Sequence, residues 1–322
     1  MSSVGLTGLP IWTAPKRAQD MHRDELDADA ATGDQWLDEL NKWRTMAGVA
    51  PVGENLALNH GSELHAQYLV DQIPAGFTDF PQAATAMGGE AHHEKPGAPG
   101  YSQEGEEAAA GGRHVDGALW AADVAWAQRD PTDDIDSLLV APFHRLSLLA
   151  PWAKVAGYGR FGTYPRSAAA LALRGPSDNT GGAEVKFPPD GSTVPIPAMT
   201  TPEWPNPIAS CPGYSYLVGL PITLQVGPKT AGGLATYSLR DQTDNRGLES
   251  CAFDSATYVN PDPAQQVHAR LALKGFGAVI MIPRLPLHPG HSYQVTINAF
   301  DRNYTWMFTI GTGEHPVQAS AR

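Results

Sequence analysis

Residues 142–160 read PFHRLSLLAPWAKVAGYGR, and the chain changes character inside them. Up to Pro142 the preceding DDIDSLLVA has the texture of a short helix, which a proline cuts off. Beyond Pro151, KVAGYGRFG over 154–162 and SAAALALRG over 167–175 read as two short strands. A helix that delivers a histidine, His144, just ahead of a strand pair makes this a mixed chain. The fold class that follows is α+β.

Toward the N-terminus, GDQWLDELNKWRTMAG over 33–48 places Trp36, Leu40, Trp43 and Met46 at helical spacing, with Leu37 beside them. Asp34 is placed to cap its start and Gly48 to stop its end. A second helix is expected over 55–73, where Leu58, His65, Leu69 and Ile73 share a face; that puts His65 in apolar company, hydrogen-bonded in the core. GALWAADVAWAQ over 117–128 reads as a third, through Trp120, Val124 and Ala127. Residues 1–33 are polar and irregular and read as an arm.

Toward the C-terminus, 174–213 is dominated by proline, glycine and polar residues, which marks a connector or domain boundary. Past it, HSYQVTINAF alternates Tyr293, Val295, Ile297 and Ala299, and YTWMFTI alternates Tyr304, Trp306, Phe308 and Ile310. GAVIMIPRLPL is a continuous apolar run broken by proline. Short strands between turn residues predict an antiparallel all-β sandwich. The expected division is an arm over 1–33, a mixed domain over 34–176 and a β domain over 177–322.

The composition narrows the function. The 322 residues are 42% hydrophobic, with Gly 33 and Pro 28 and a formal charge of −12. No basic run exceeds two residues, which argues against nucleic acid and against an anionic membrane surface. No window approaches the roughly 18 apolar residues of a transmembrane helix. The start, MSSVGLTGLPIWTAPKRAQD, has no basic segment followed by a long apolar one, so it does not read as a signal peptide. Either the protein is cytosolic or the sequence begins after processing. The two cysteines, Cys211 and Cys251, give no zinc framework. They form either two buried thiols or, in an exported protein, one disulfide closing a loop worth about 3–4 kcal/mol. Nucleotide and hydrolase signatures are missing: GPKTAGG lacks phosphate-loop spacing, GYSYL over 213–217 ends in leucine where a nucleophile elbow needs glycine, and no HExxH occurs.

What remains for chemistry is AHHEKPGAPGYSQEG over 91–105, read as a loop pinned by Pro96, Pro99 and Gly100, together with Glu106 and His144. In this order the pieces resemble a known family. Leu40, Asn41 and Arg44 form an LNxxR-like element, followed by HAQYL, the HxE…PGYSxEG segment, PFHRxxLL and VAGYG. Over 34–176 this resembles the bacterial branch of the CAP superfamily, the SCP/PR-1-like proteins. FPPDGSTVP, EWPNP, PGYSYLVGLPITL and WMFTIGTG resemble the Ig-like extension behind such domains; within them Trp204, Pro205, Asn206 and Pro207 read as a structural turn.

The resemblance implies a three-layer α-β-α sandwich with an open cavity holding two histidines and two acids, which in several members bind a divalent metal such as zinc. Carried over piece by piece, the first histidine is His92 or His93 and the first acid Glu104 or Glu106. The second histidine is His144, and the second acid is one of Asp133, Asp134 and Asp136, with Asp136 best placed. The expected metal ligands are therefore His92, His93, Glu104 and His144, with Glu106 and Asp136 as further ligand-binding residues. GENLA over 53–57 spells the family's cavity-glutamate string but lies before the HAQYL helix, so Glu54 reads as a first-turn carboxylate. Two departures stand out: the first domain has no cysteine, and PFHR replaces the GHYTQ-type segment.

Three functions follow from the resemblance. The first is a non-enzymatic extracellular, periplasmic or cell-surface protein whose cavity takes a divalent metal and a small-molecule or lipid ligand. The second is a structural subunit of a larger surface or membrane-associated assembly, docking to other surface proteins through the arm or the β domain. The third is a metal-dependent hydrolase or peptidase with Glu104 as general base on a metal-bound water.

Overall fold

The computed structural model describes residues 35–77, 79–113, 118–176, 184–228 and 233–313. The expected arm, the cap at Asp34 and the residues just past the expected boundary at 176 lie outside this set. Helix α1, residues 35–46, buries Trp36, Leu40 and Trp43 and ends at Gly48, whose φ of +71 suits the missing Cβ. Next come β1 (Gly53–Glu54) and α2 (Leu56–Gln72), with the Asn55 side chain accepting from the Ala57 and Leu58 N–H groups. Glu54 is thus on the strand, before the cap, and not in the first turn of the helix as expected; it accepts from Asn59. Then follow α3 (Phe80–Met87), a 3-10 turn (Gly88–His92), α4 (Gln103–Ala109), β2 (Gly112–Arg113) and β3 (Leu119–Trp126). The first half closes with α5 (Pro131–Val140), α6 (Pro142–Leu148), β4 (Val155–Thr163) and β5 (Arg166–Gly175).

These strands form one sheet in the order β1-β4-β5-β3-β2, antiparallel except for the β1–β4 pair. Both faces are covered. Ala121, Ala125, Ala156, Tyr158, Leu171 and Leu173 pack with residues of α1, α5 and α6. On the other face, Val124 and Ala168 pack with Ala66, Leu69 and Phe80, while Ala172 packs with Leu58 and Ala108. This explains one element of the first half whose type was misread. The segment expected as a helix over 117–128 is strand β3. A strand buried on both faces carries no polar alternation, so its apolar residues also fit helical spacing.

The VAGYG glycines set how close α2 lies. A Cβ on Gly157 would stand 2.2 Å from the Leu58 Cβ, and one on Gly159 would stand 2.0 Å from the Glu63 amide nitrogen. Only hydrogen at both positions lets the helix backbone rest on β4.

The second half contains β6 (Val185–Phe187), β7 (Thr193–Val194), β8 (Ala198–Met199), β9 (Val218–Gly219), β10 (Ile222–Gln225), β11 (Leu234–Asp241), β12 (Arg246–Leu248) and β13 (Ser250–Phe253). Helix α7 (Pro263–Phe276), β14 (Ala278–Pro283), β15 (Ser292–Ala299) and β16 (Arg302–Ile310) complete it. Its larger sheets run β13-β14-β10-β6 and β12-β11-β15-β16-β7, and β8 pairs with β9. The segment expected as a strand-poor connector supplies β6, β7 and β8 to these sheets. The half is also not all-β: α7 begins at Pro263 behind an Asp262 cap and ends at Gly277 with φ +55. Cys211 and Cys251 are joined in a disulfide, with Cα atoms 5.6 Å apart. One continuous apolar core runs from Trp36 and Leu146 of the first half to Leu224, Val295 and Trp306 of the second. No helix among the described residues is long and apolar enough to cross a membrane.

Candidate functional site

Helix α6 carries His144 and is fixed from two directions. The guanidinium of Arg145 is fully buried and donates to the carbonyls of Leu139, Val140 and Pro221, at 2.6, 2.9 and 2.6 Å. Burial pushes it down to about 9, against the pull of the Glu203 carboxylate. From outside, the Glu203 carboxylate of the second half accepts from the N–H groups of Phe143 and His144 at 3.1 and 3.3 Å. Burial pushes Glu203 up to about 7, against the pull of His144 and those N–H groups.

So held, His144 meets a carboxylate no sequence pattern nominated. Its Nδ1 lies 2.9 Å from the Oδ1 of Asp123, which projects from strand β3 and is only 2% exposed. Burial works against a charged His144, but the Asp123 bond outweighs it and raises the imidazole. Burial likewise raises Asp123, against the pull of His144 and of the Ser147 hydroxyl. Among the described residues, the Oδ2 of Asp123 has no hydrogen-bond partner in geometric range, an unusual state for a buried carboxylate.

The HHE segment lies alongside. His92 is half-buried, and its ring nitrogens make no hydrogen bond among the described residues. Burial, then the charges of His144, His268, His65 and His93, push it down to about 3. The other imidazoles nearest in sequence have carboxylates of their own. His65 is in the core as expected, with Nδ1 3.0 Å from Glu94 and Nε2 2.9 Å from the Ala91 carbonyl. His93 is 65% exposed and pairs with Glu106 at 3.3 Å.

The remaining expected residues are placed elsewhere. PGYSQEG was expected to be loop throughout, but Ser102 caps α4 and puts Glu104 and Glu106 in its first turn. Glu104 is exposed there, while Glu106 turns back to accept from the Glu94 N–H and so latches the HHE segment to the helix. Asp136 is buried against α1, accepting from the Trp43 indole at 2.7 Å. Asp134, its rejected neighbour, holds Tyr158 and Arg160 at 2.6 and 3.0 Å. Of the four expected metal ligands, His144 pairs with Asp123, His93 pairs with Glu106, Glu104 is exposed on α4, and His92 stacks toward His268 of α7 at 6.4 Å between ring centroids.

The His144–Asp123 pair offers an imidazole and a carboxylate, donor types that a borderline divalent ion accepts. Asp123 behind Nδ1 of His144 leaves Nε2 as the outward nitrogen, the arrangement seen in carboxylate–histidine–metal sites. The positions are not preset: among the described residues, the one set of three whose candidate ligand atoms all lie within 4.8 Å of one another is Asp241, Asp244 and His291, in the second half. There Oδ1 of Asp241 accepts from the Thr243 and Asp244 N–H groups, and its Oδ2 lies 2.9 Å from His291 Nδ1.

Sequence reasoning missed Asp123 and Glu203, and placed Trp204 in a structural turn. Asp123 carried a signal, a lone carboxylate inside LWAADVAW, but in a helical reading it was free to face solvent. Neither a model of a protein family nor any curated protein matches the chain.

Proposed function

We propose that the chain is a CAP-like binding protein without catalytic activity, working outside the cytoplasm or at the cell surface. Its first half would be the α-β-α sandwich of that family and its second half an Ig-like module with one added helix. The ligand is a divalent metal ion, zinc or a chemical relative, with a small molecule as a further occupant. The observation that carries this reading is the His144–Asp123 pair, an imidazole on a buried carboxylate at 2.9 Å, on a helix whose N-terminus Glu203 holds from the second half. The order of the HAQYL, HHE, PFHR and VAGYG segments supports it too, as does a sheet covered on both faces. The disulfide suits an exported protein.

The test is metal analysis and calorimetric titration of the purified, chelator-treated chain with Zn²⁺ and Co²⁺. Stoichiometric binding that is lost in His92→Ala and in His144→Gln is the expected result. Unchanged binding in both variants, or none in the parent chain, refutes it.

A second reading, a structural subunit of a surface assembly, draws on one observation. Val267 and Leu271 stand one turn apart on α7, 59% and 66% exposed. Light scattering over a concentration series decides its self-assembling form: a monomer at all concentrations argues against it.

A further inference from the structure

The second half gathers two carboxylates and an imidazole where the β11–β12 turn meets the start of β15. One candidate ligand atom from each of Asp241, Asp244 and His291 lies within 4.8 Å of the other two. The backbone explains the meeting. Asp241 ends β11 and is fully buried. Its Oδ1 accepts from the Thr243 and Asp244 N–H groups at 2.9 and 3.1 Å, which turns the chain back and keeps Asp244 beside it. On the neighbouring strand Tyr293 is the register partner of Asp241, and His291 stands two residues before it. The Gln242 N–H donates to the Ser292 carbonyl at 2.8 Å, and the Ser292 N–H to the Thr243 hydroxyl at 3.1 Å. The His291 carbonyl accepts from the Ile310 N–H of β16 at 3.0 Å. All three side chains therefore start from backbone that is tied on both sides, as a preorganised site needs.

The distances fit a small borderline ion. Oδ2 of Asp241 and Nδ1 of His291 are 2.9 Å apart. Two ligand atoms on one zinc-like ion, each at about 2.0–2.2 Å, stand about 3.0–3.4 Å from each other, so this pair opens by about 0.1–0.5 Å. The ion takes the place of the proton shared by the pair, which passes to solvent. Burial works to raise Asp241, but His291 and the two N–H groups outweigh it and hold the carboxyl below its usual range. The third ligand is free to move. Asp244 is 48% exposed and lies 3.7 Å from Arg246, itself 53% exposed, and an ion pair so open to water is worth little. His291 is 24% exposed, which leaves the site a side open to water. An imidazole in the set selects against calcium and magnesium, which take oxygen ligands.

We infer that Asp241, Asp244 and His291 form a second divalent-metal site, in the second half, which takes zinc or cobalt through one imidazole and two carboxylates with water completing the shell. It shares no residue with the His144–Asp123 pair and does not rest on the function proposed above. The bound ion clamps the β11–β12 turn to the segment that enters β15, and so stabilises the folded chain.

The experiment titrates the full, chelator-treated chain with Co²⁺ alone, read by calorimetry and visible absorption, and follows melting with and without the ion. The chains are the parent, His144→Gln, and His144→Gln combined in turn with His291→Gln, Asp244→Asn and Arg246→Gln. The expected result is that His144→Gln still binds one equivalent and melts higher with cobalt. Adding His291→Gln or Asp244→Asn weakens that equivalent by about tenfold or more, the scale at which even outer-shell losses are felt, and abolishes the rise in melting. Asp244 is exposed, so Asp244→Asn keeps the test decisive if His291→Gln fails to fold. Adding Arg246→Gln, which removes only the competing cation, leaves binding as tight or tighter. No cobalt bound by His144→Gln, undiminished binding with His291→Gln or Asp244→Asn, or weaker binding with Arg246→Gln overturns the second site. If His144→Gln binds as many equivalents as the parent and His291→Gln removes them, the second site stands and the site in the first half falls.

Discussion

Asp123 is the residue on which the site turns. A carboxylate 2% exposed on a central strand loses its hydration, and one of its oxygens recovers no hydrogen bond. In return it fixes the orientation of His144 through Nδ1. Asp123→Asn keeps the shape and removes the charge, so Co²⁺ affinity should fall by about 10- to 100-fold; unchanged affinity means Asp123 serves packing alone. Asp136 shows the opposite use of a buried acid. Burial, then the charge and hydrogen bond of Glu39, push it up to about 8, while the Trp43 indole pulls it down. A carboxyl raised on folding binds more protons in the native than in the unfolded chain. Its contribution therefore declines as pH rises from about 4, its unfolded value, to about 8. Chemical denaturation across that range should show stability falling by about 1 kcal/mol per unit where the slope is steepest. Asp136→Asn keeps an acceptor for the indole and should flatten the slope; an equal slope in the variant places the effect elsewhere.

At the scale of elements, what was legible depended on whether a segment met water on one side. Strands β15 and β16 carry one-sided patterns, and the period of 2 was plain in their residues. Strand β3 meets apolar neighbours on both faces, so LWAADVAW lost its period, and the same error hid Asp123. Helix α7 buries only Ala269 and Leu273 and exposes Val267 and Leu271. Its Asp-Pro start and Gly stop were in the sequence, but a half dominated by strand patterns drew the reading away from them. Segment order nominated His92 and His144; it said nothing of Glu203, because no local pattern tells which distant loop reaches a helix end. The close seating of α2 on β4 gives a direct test. Gly159→Ala puts a methyl where backbone atoms of Ser62 and Glu63 lie 2.0 to 2.5 Å away, and should cost about 1–3 kcal/mol or more in urea unfolding. Gly247→Ala, with nothing within 4 Å of the added carbon, should stay within about 0.5 kcal/mol. Equal effects at the two positions contradict the close approach.

Over the whole molecule, the two halves share a core and a set of polar ties. Phe143 packs on Phe253 and Tyr258, Trp43 meets Phe187, and Arg145 reaches the Pro221 carbonyl. The Cys211–Cys251 bond closes the stretch between the Trp204 loop and β13, with Ser210 bonded to Val259 close by. It steadies the region from which Glu203 and Trp204 reach the first half. Replacing both cysteines with serine should lower unfolding free energy by about 3–4 kcal/mol in the chain-entropy account, read from the urea midpoint; an unchanged midpoint removes the disulfide from this role. The most direct measurement of the central claim is anomalous diffraction from crystals of the full chain soaked with Co²⁺. The account predicts a peak at His144. A peak only at Asp241, Asp244 and His291, or no peak at all, contradicts it.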